Sequence, residues 1–338
     1  MTEGHRYFLG QRDREEYAEA CGRIRPLEKR LLTVERQREL SAAADIPAAL
    51  HLLRRWGWLG TVSESAEEEW EGPLVMALKE SDRALITMDP RPAVTAILVA
   101  KYDLLNLCAV LKARVLAREF PHSLHPRGIS SLPSLEVMAN RMNFSAYPRL
   151  LAAELSSLGD VLISGGPGEI ADAVTAARHR ALRAAAEEEG SRLFCDYLAH
   201  LSDVENIKLA FRSLAFPELW GGKISLLPGG HLERRVFAAA DAADDLRGTL
   251  ARTVYGPLLE RCREEDGRIS LGLLERETDD FLTALLEPAR YVSLGPEPLW
   301  AYWLARETDI KSIRAILIGL RSRPDGESLG RRLRRPYV

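Results

Sequence analysis

Few residues in this 338-residue chain have types and spacings that could do chemistry. The apolar run Val161-Leu-Ile-Ser164 leads into Gly165-Gly166-Pro167-Gly168-Glu169. A glycine-rich turn opening a helix can hold a phosphate on its backbone N–H groups. This one lacks the Lys-Ser/Thr pair of a P-loop and has no βαβ unit around it, and Pro167 removes a donor from the cradle. A helix-to-helix turn is the expected structure. His122 and His125 could begin a metal site, but no Cys, Asp or Glu pair at ligand spacing lies beside them, so a solvated loop is expected. Ser, His and Asp are all present without a nucleophile elbow such as GxSxG. Glu187-Glu188-Glu189 reads as a surface charge run. Arg54-Arg55-Trp56-Gly57-Trp58 could stack on bases or headgroups, although a core-facing tryptophan pair at a helix end is the simpler reading. No catalytic, metal or cofactor site is assigned, and the chain reads as a non-enzyme.

One polar pattern recurs. Asp103-Leu-Leu-Asn106-Leu107, Asp203-Val-Glu-Asn206-Ile207 and Asp309-Ile-Lys-Ser312-Ile313 each set an Asp three residues ahead of an Asn or Ser, with an aliphatic residue next. The copies start 100 and 106 residues apart. Residues at i and i+3 share a helix face. Asp103 with Asn106, Asp203 with Asn206 and Asp309 with Ser312 can therefore bind backbone groups of a neighbouring helix and fix how helices meet. Alternatively, each Asp caps a helix whose third residue is the Asn or Ser. Buried pairs of this kind must be hydrogen-bonded, which makes them specifiers of geometry. A repeat at this period suggests a body of similar helical modules.

The elements that position these pairs read as helices. Ala, Leu, Arg and Glu are abundant and β-branched alternation is scarce. Residues 12–59 predict two or three helices, broken near Pro26 and at Asp45-Ile46-Pro47, where Asp45 is a cap. A loop over 60–73 precedes a helix over 74–85. One long helix is expected over 93–119, and a loop rich in Pro and Gly over 120–133. Short helices over 135–158 and a break over 159–168 follow. Helices are then expected over 169–188, 191–215, 232–243, 271–286 and 296–323, with Leu227-Pro-Gly-Gly-His-Leu232 closing a loop. Apolar residues at i, i+3, i+4 mark these helices, as in Leu104, Leu107, Val110 and Leu111. The fold class is all-α, divided as 1–120, 121–230 and 231–338.

Composition bounds the partners. With 46 basic and 49 acidic residues the net charge is −3, which argues against a general nucleic-acid binder. Glu64, Glu67, Glu68, Glu69 and Glu71 form an acidic stretch, and six Arg lie between Arg321 and Val338. The four cysteines (Cys21, Cys108, Cys195, Cys262) form no CxxC pair and suit a reducing compartment. The N-terminus has no apolar segment of a signal peptide, and the longest apolar run, 93–100 but for Thr95, is far below the ~20 residues of a membrane span. A cytoplasmic protein, able to sit on a membrane complex, is expected.

Several segments, in this order, resemble the C subunits of the V/A-type ATPases (ATP synthases), relatives of the d subunit of the eukaryotic V-ATPase. They are Lys101-Tyr-Asp-Leu-Leu-Asn-Leu-Cys-Ala-Val-Leu-Lys112, Asp196-Tyr-Leu-Ala-His-Leu-Ser-Asp-Val-Glu-Asn-Ile-Lys-Leu-Ala-Phe-Arg212, Leu227-Pro-Gly-Gly-His-Leu232, Leu274-Glu-Arg-Glu-Thr-Asp-Asp-Phe281 and Trp300-Ala-Tyr-Trp-Leu-Ala-Arg-Glu-Thr-Asp-Ile-Lys-Ser-Ile-Arg314. The resemblance covers about 85–323, with a looser match before it. Ser312 stands where the family has Asn, and the acidic stretch looks like a local insertion.

The resemblance implies three similar helical subdomains around a pseudo-threefold axis, forming a funnel with a central cavity. It implies a non-catalytic central-stalk adaptor of a rotary ATPase, without cofactor. The cavity would receive the tip of the shaft, made by the D and F subunits, and the opposite face would sit on the proteolipid ring. A single copy, peripheral to the membrane on its cytoplasmic side and not a homo-oligomer, is expected. Arg331, Arg332, Arg334 and Arg335 are expected to approach the ring or acidic headgroups. The competing readings are a helical-repeat scaffold for soluble protein partners and a nucleotide-dependent enzyme built on Gly165 to Gly168.

Overall fold

A computed structural model describes residues 14–59, 70–119, 124–220, 224–238, 242–322 and 329–338. The acidic residues Glu64 to Glu69 and His122 lie outside them. Helices carry the fold, and among the described residues the β structure is an isolated bridge between Arg263 and Ile269. The chain is all-α, as the composition implies.

Three helices open the chain: α1 (Ala18–Glu28), α2 (Val34–Ser41) and α3 (Ile46–Arg55). Helix α1 runs through Pro26 and ends two residues later, so the expected break falls at the turn after Glu28. Thr33 caps α2, and Asp45 caps α3 by accepting from Ala48 N–H at 2.8 Å. Trp56 and Trp58 after α3 are 9% and 3% exposed, which makes them core residues. Helix α4 (Glu71–Met88) leads to α5 (Ala93–Val99) and α6 (Lys101–Val115). The single helix expected here is bent by 51° between α5 and α6. The bend exposes carbonyls at the end of α5, and Arg178 donates to those of Ile97 and Leu98 at 3.2 and 3.1 Å. No single helix among the described residues is long and apolar enough to cross a membrane.

The short helices α7 (Leu132–Arg141), α8 (Arg149–Ser156) and α9 (Gly159–Ser164) precede the long antiparallel pair α10 (Pro167–Glu188) and α11 (Arg192–Ala215). Ser191 caps α11 and donates to Glu297 at 2.6 Å. Helices α12 (Pro217–Trp220), α13 (Arg235–Ala238), α14 (Ala243–Leu250) and α15 (Gly256–Arg261) are short, and α16 (Leu271–Leu286) and α17 (Glu297–Ser322) complete the chain. The helix expected from 232 begins at Arg235, as α13. The residues just before it are held as a loop, with the N–H groups of His231 and Leu232 donating to the Asp203 carboxylate.

One apolar core runs through the molecule, with Trp300, Phe144, Phe194 and Tyr302 among its largest side chains. Helices α1, α2 and α3 pack on α17, and Gln37 on α2 reaches the carbonyl of Arg334 in the C-terminal segment. Glu189 corrects the reading of Glu187-Glu188-Glu189 as surface. It is 3% exposed and pairs with Arg14 and with Arg91 at 3.1 Å.

Candidate functional site

The Asp and Asn of the repeat hold loops. Asn106 accepts from the N–H of His125 at 2.6 Å and donates to the carbonyl of the same residue at 3.2 Å. Asp103 Oδ1 accepts from Ile129 and Ser130 N–H at 2.7 and 2.9 Å. One hundred residues later the same arrangement returns. Asn206 accepts from Leu227 N–H at 2.7 Å and donates to its carbonyl at 3.0 Å. Asp203 accepts from His231 and Leu232 N–H, each at 3.0 Å, and from the Tyr255 hydroxyl at 2.8 Å. In both copies the Asn grips both polar groups of one backbone residue, and the Asp takes two consecutive N–H groups beginning four residues further on.

Both loops have a glycine just before the first N–H that the Asp accepts. A Cβ on Gly128 would stand 2.3 Å from Asn106 Nδ2, and one on Gly230 would stand 2.0 Å from Asp203 Oδ1. Only a residue without a side chain lets the backbone come so close. None of the three aspartates caps a helix. Asp103 lies in the first turn of α6, and Asp203 and Asp309 lie inside α11 and α17.

The third copy divides the same work among three segments. Ser312 Oγ accepts from Arg334 N–H at 3.0 Å, and Gln37 Nε2 donates to the Arg334 carbonyl at 2.9 Å. Together they reproduce what one Asn does in the other copies. Asp309 Oδ2 accepts from Leu32 N–H at 2.8 Å. The hydroxyl of Ser312 is too short to grip both groups of a residue, and Gln37 on α2 supplies the missing donor. Asp309 is almost fully buried with a single N–H donor, and burial pushes its carboxyl up to about 8, against that bond and the charges of Arg306 and Arg36.

The three pinned helices converge. A cavity of about 380 Å³ is lined from all of them. Leu98, Leu198 and Leu304, each five residues ahead of its Asp, line it, as do Lys101, Leu201 and Glu307, each two residues ahead. Glu307 stands 3.2 Å from Lys101 and also meets Arg127. Burial alone would raise Glu307, but these two cations hold it down to about 2. Lys311 pairs with Asp279 at 2.7 Å across the cavity wall. Burial lowers Arg178 to about 10. Burial also lowers His179 to about 4, so its neutral ring shares a hydrogen bond with Ser202 at 2.7 Å.

Arg127 couples the first loop to the third helix. It is 3% exposed, holds both oxygens of Asp82 at 2.8 Å, reaches Glu307 and lies over the ring of Tyr102. Asp82 also accepts from Trp303 Nε1 at 2.9 Å. Sequence reasoning left out Asp82, Lys101, Arg127, Gly128, Gly230 and Glu307. A signal was present, since His125-Pro126-Arg127-Gly128 and Leu227-Pro228-Gly229-Gly230 share a Pro-x-Gly, with the gripped residues 19 and 21 positions after their Asn.

Other candidate residues have different placements. His125 takes Arg127 N–H on Nδ1 at 3.2 Å and packs on Tyr102. The Gly165 to Gly168 turn is capped from within, because Glu169 accepts from Gly166 N–H at 2.8 Å. That N–H is therefore already taken by a carboxylate of the same turn. In the basic tail, Arg334 pairs with Asp279 at 3.1 Å and Arg335 with Glu287, and Arg331, Arg332 and Arg335 are exposed.

The sequence model of the family described as ATP synthase (C/AC39) subunit matches residues 20–331. The C subunit of the V-type sodium ATPase of Enterococcus hirae is 22% identical over 332 residues, spanning 95% of this chain and 99% of that protein. The C subunit of the A-type ATP synthase of Thermococcus kodakarensis is 23% identical over 322 residues, spanning 89% of this chain and 86% of that protein. Its counterpart in Pyrococcus furiosus is 26% identical over 140 residues, 39% of this chain and 38% of that protein. With the match running along nearly its whole length, the chain belongs to the ATP synthase (C/AC39) subunit family.

Proposed function

We propose that the chain is a non-catalytic adaptor of a V/A-type rotary ATPase, standing between the rotor shaft and the proteolipid ring and passing torque between them. The observation that carries this reading is the family match along residues 20–331. The lining of one cavity by equivalent positions of three pinned helices supports a pseudo-threefold body whose axis runs through that cavity. Its three parts would follow the divisions 1–120, 121–230 and 231–338, with the N-terminal helices closing the ring against α17.

A helix about 10 Å across rises about 5.4 Å per turn. A cavity of about 380 Å³ therefore takes roughly one turn. The D and F shaft subunits would seat a tip there, leaving broad contacts at the rim to carry the load. A torque coupler needs shape-matched area and rigid modules more than one tight pocket. The loop pins and the Arg127 cluster supply that rigidity. The ring would lie on the opposite face, on the cytoplasmic side of the membrane, with Arg331 and Arg332 as its basic contacts; Arg334 and Arg335 act as clamps on α16 and the turn after it.

The test is purification through a tag on this chain from detergent-solubilised membranes of its source. The proposal expects shaft and ring subunits to co-purify in fixed ratio, with ATP-driven ion transport lost when the gene is deleted. Recovery of the chain alone, or transport unaffected by the deletion, rejects it.

A further inference from the structure

Beside the second pin, three side chains converge that the adaptor role does not use. Asp196 and His200 lie one turn apart on α11, and His231 comes from the loop that Asp203 holds. His231 Nε2 is 3.1 Å from Asp196 Oδ1, and His200 Nε2 is 3.7 Å from Asp196 Oδ2. One ligand atom from each of the three lies within 4.8 Å of the others. We propose that Asp196, His200 and His231 form a binding site for a divalent transition-metal ion, with zinc the best match.

The hydrogen bonds behind the site fix its chemistry. The Tyr255 hydroxyl donates to Asp203 Oδ2 at 2.8 Å, so toward His200 Nδ1, also at 2.8 Å, it can only accept. Nδ1 therefore carries a proton, which leaves Nε2, on the Asp196 side, as the ring nitrogen placed to bind a metal ion. A metal-bound imidazole characteristically donates its other N–H to an oriented oxygen, and the Tyr255–Asp203 relay provides one.

Distance and ligand type agree. Ligand atoms about 2.0–2.1 Å from a tetrahedral zinc ion lie roughly 3.3 Å from each other. The two Asp–His separations, 3.1 Å to Oδ1 and 3.7 Å to Oδ2, lie close to that value, so a small side-chain adjustment brings one oxygen and both rings onto a single ion. Two imidazoles and one carboxylate favour zinc over magnesium or calcium, which take oxygen ligands. Phe281 packs edge-on against His200 at 5.4 Å and tilted against Tyr255 at 5.5 Å, giving the site an apolar wall. The His231 side chain is 48% exposed, so the ion has a path in and a position left for water. The ion would clip the pinned loop to α11 at a second point.

The experiment uses the full chain, stripped with a chelator and titrated with zinc chloride in a non-coordinating buffer, in competition with a chromophoric chelator. One equivalent should bind. His231→Ala leaves the backbone N–H that Asp203 holds, and Asp196→Asn keeps the side-chain shape, so each variant should fold. Each should lower zinc affinity by at least about 10-fold, and magnesium should not compete. No zinc bound by the parent protein overturns the proposal. So does binding of the same stoichiometry and affinity in both variants, which would put the ion elsewhere.

Discussion

Replacing each repeat aspartate by asparagine, one at a time, should give three different results, because the three carboxylates share out their oxygens differently. Asp203 uses both: Oδ1 accepts from Leu232 N–H, and Oδ2 from His231 N–H and the Tyr255 hydroxyl. An amide turned its cheaper way faces its NH₂ against the Leu232 N–H. A hydrogen bond to a charged group, worth about 1.5–3 kcal/mol, is lost and the other two weaken, so Asp203→Asn should cost about 3 kcal/mol. Asp103 takes both backbone N–H groups on Oδ1, leaving Oδ2 with only the Ser130 hydroxyl at 3.3 Å. That hydroxyl can turn to accept from an NH₂, so Asp103→Asn should cost about 1 kcal/mol. Asp309, pushed up to about 8 by burial, has the opposite sign. Below its ordinary value of 3.8 both folded and unfolded states hold the proton. Between 3.8 and about 8 only the folded state holds it, so stability falls as pH rises, and above about 8 the slope ends. At about 1.4 kcal/mol per pH unit the loss between pH 5 and 8 is at most about 4 kcal/mol. Asp309→Asn removes that slope and should be more stable than the parent at pH 8. The assay is equilibrium urea unfolding by tryptophan fluorescence at pH 5 and 8, with the slope m checked for each variant. Equal costs for Asp103→Asn and Asp203→Asn would refute the reasoning, as would an Asp309→Asn variant whose difference from the parent is the same at both pH values.

Three further outcomes follow from the same contacts. Gly230→Ala should lower stability by about 1–3 kcal/mol, because its Cβ would stand 2.0 Å from Asp203 Oδ1, whereas Gly248→Ala, with nothing within 4 Å, should not; thermal melts compare the two. Arg127→Met leaves Asp82 and Glu307 without their shared buried cation and should cost about 3–5 kcal/mol. It should also move the acid unfolding midpoint upward, because Glu307 contributes stability that is present above its ordinary value and lost as pH falls toward about 2. All four cysteines are free and burial raises each thiol, so a thiol reagent at neutral pH should react slowly with the native protein and count four equivalents after denaturation.

Helix type and most helix limits were legible in the sequence because they depend on local periodicity and caps. The span 271–286 and the Asp45 cap are read directly from the residues. The loop closing at Leu232 was legible from its Pro and Gly, but the helix start at Arg235 was not, since leucine and arginine from 232 onward favour a helix and only a carboxylate nearly 30 residues earlier takes the N–H of Leu232. Glu189 escaped for a similar reason: its partners Arg14 and Arg91 are far away in the chain. The aspartate repeat was visible as spacing, but its partners were not. A side-chain pattern names the donor or acceptor and leaves the loop it meets to tertiary packing. The divided third pin is the clearest case, because nothing in Ser312 points to Gln37.

The most direct test of the adaptor reading is single-particle electron microscopy of the intact ATPase from the source organism, at a resolution that traces helices. One copy of this chain should stand between shaft and ring, with the shaft tip over the cavity lined by Lys101, Leu201 and Glu307. A chain bound at the periphery of the complex, or a shaft tip seated away from that cavity, would contradict it.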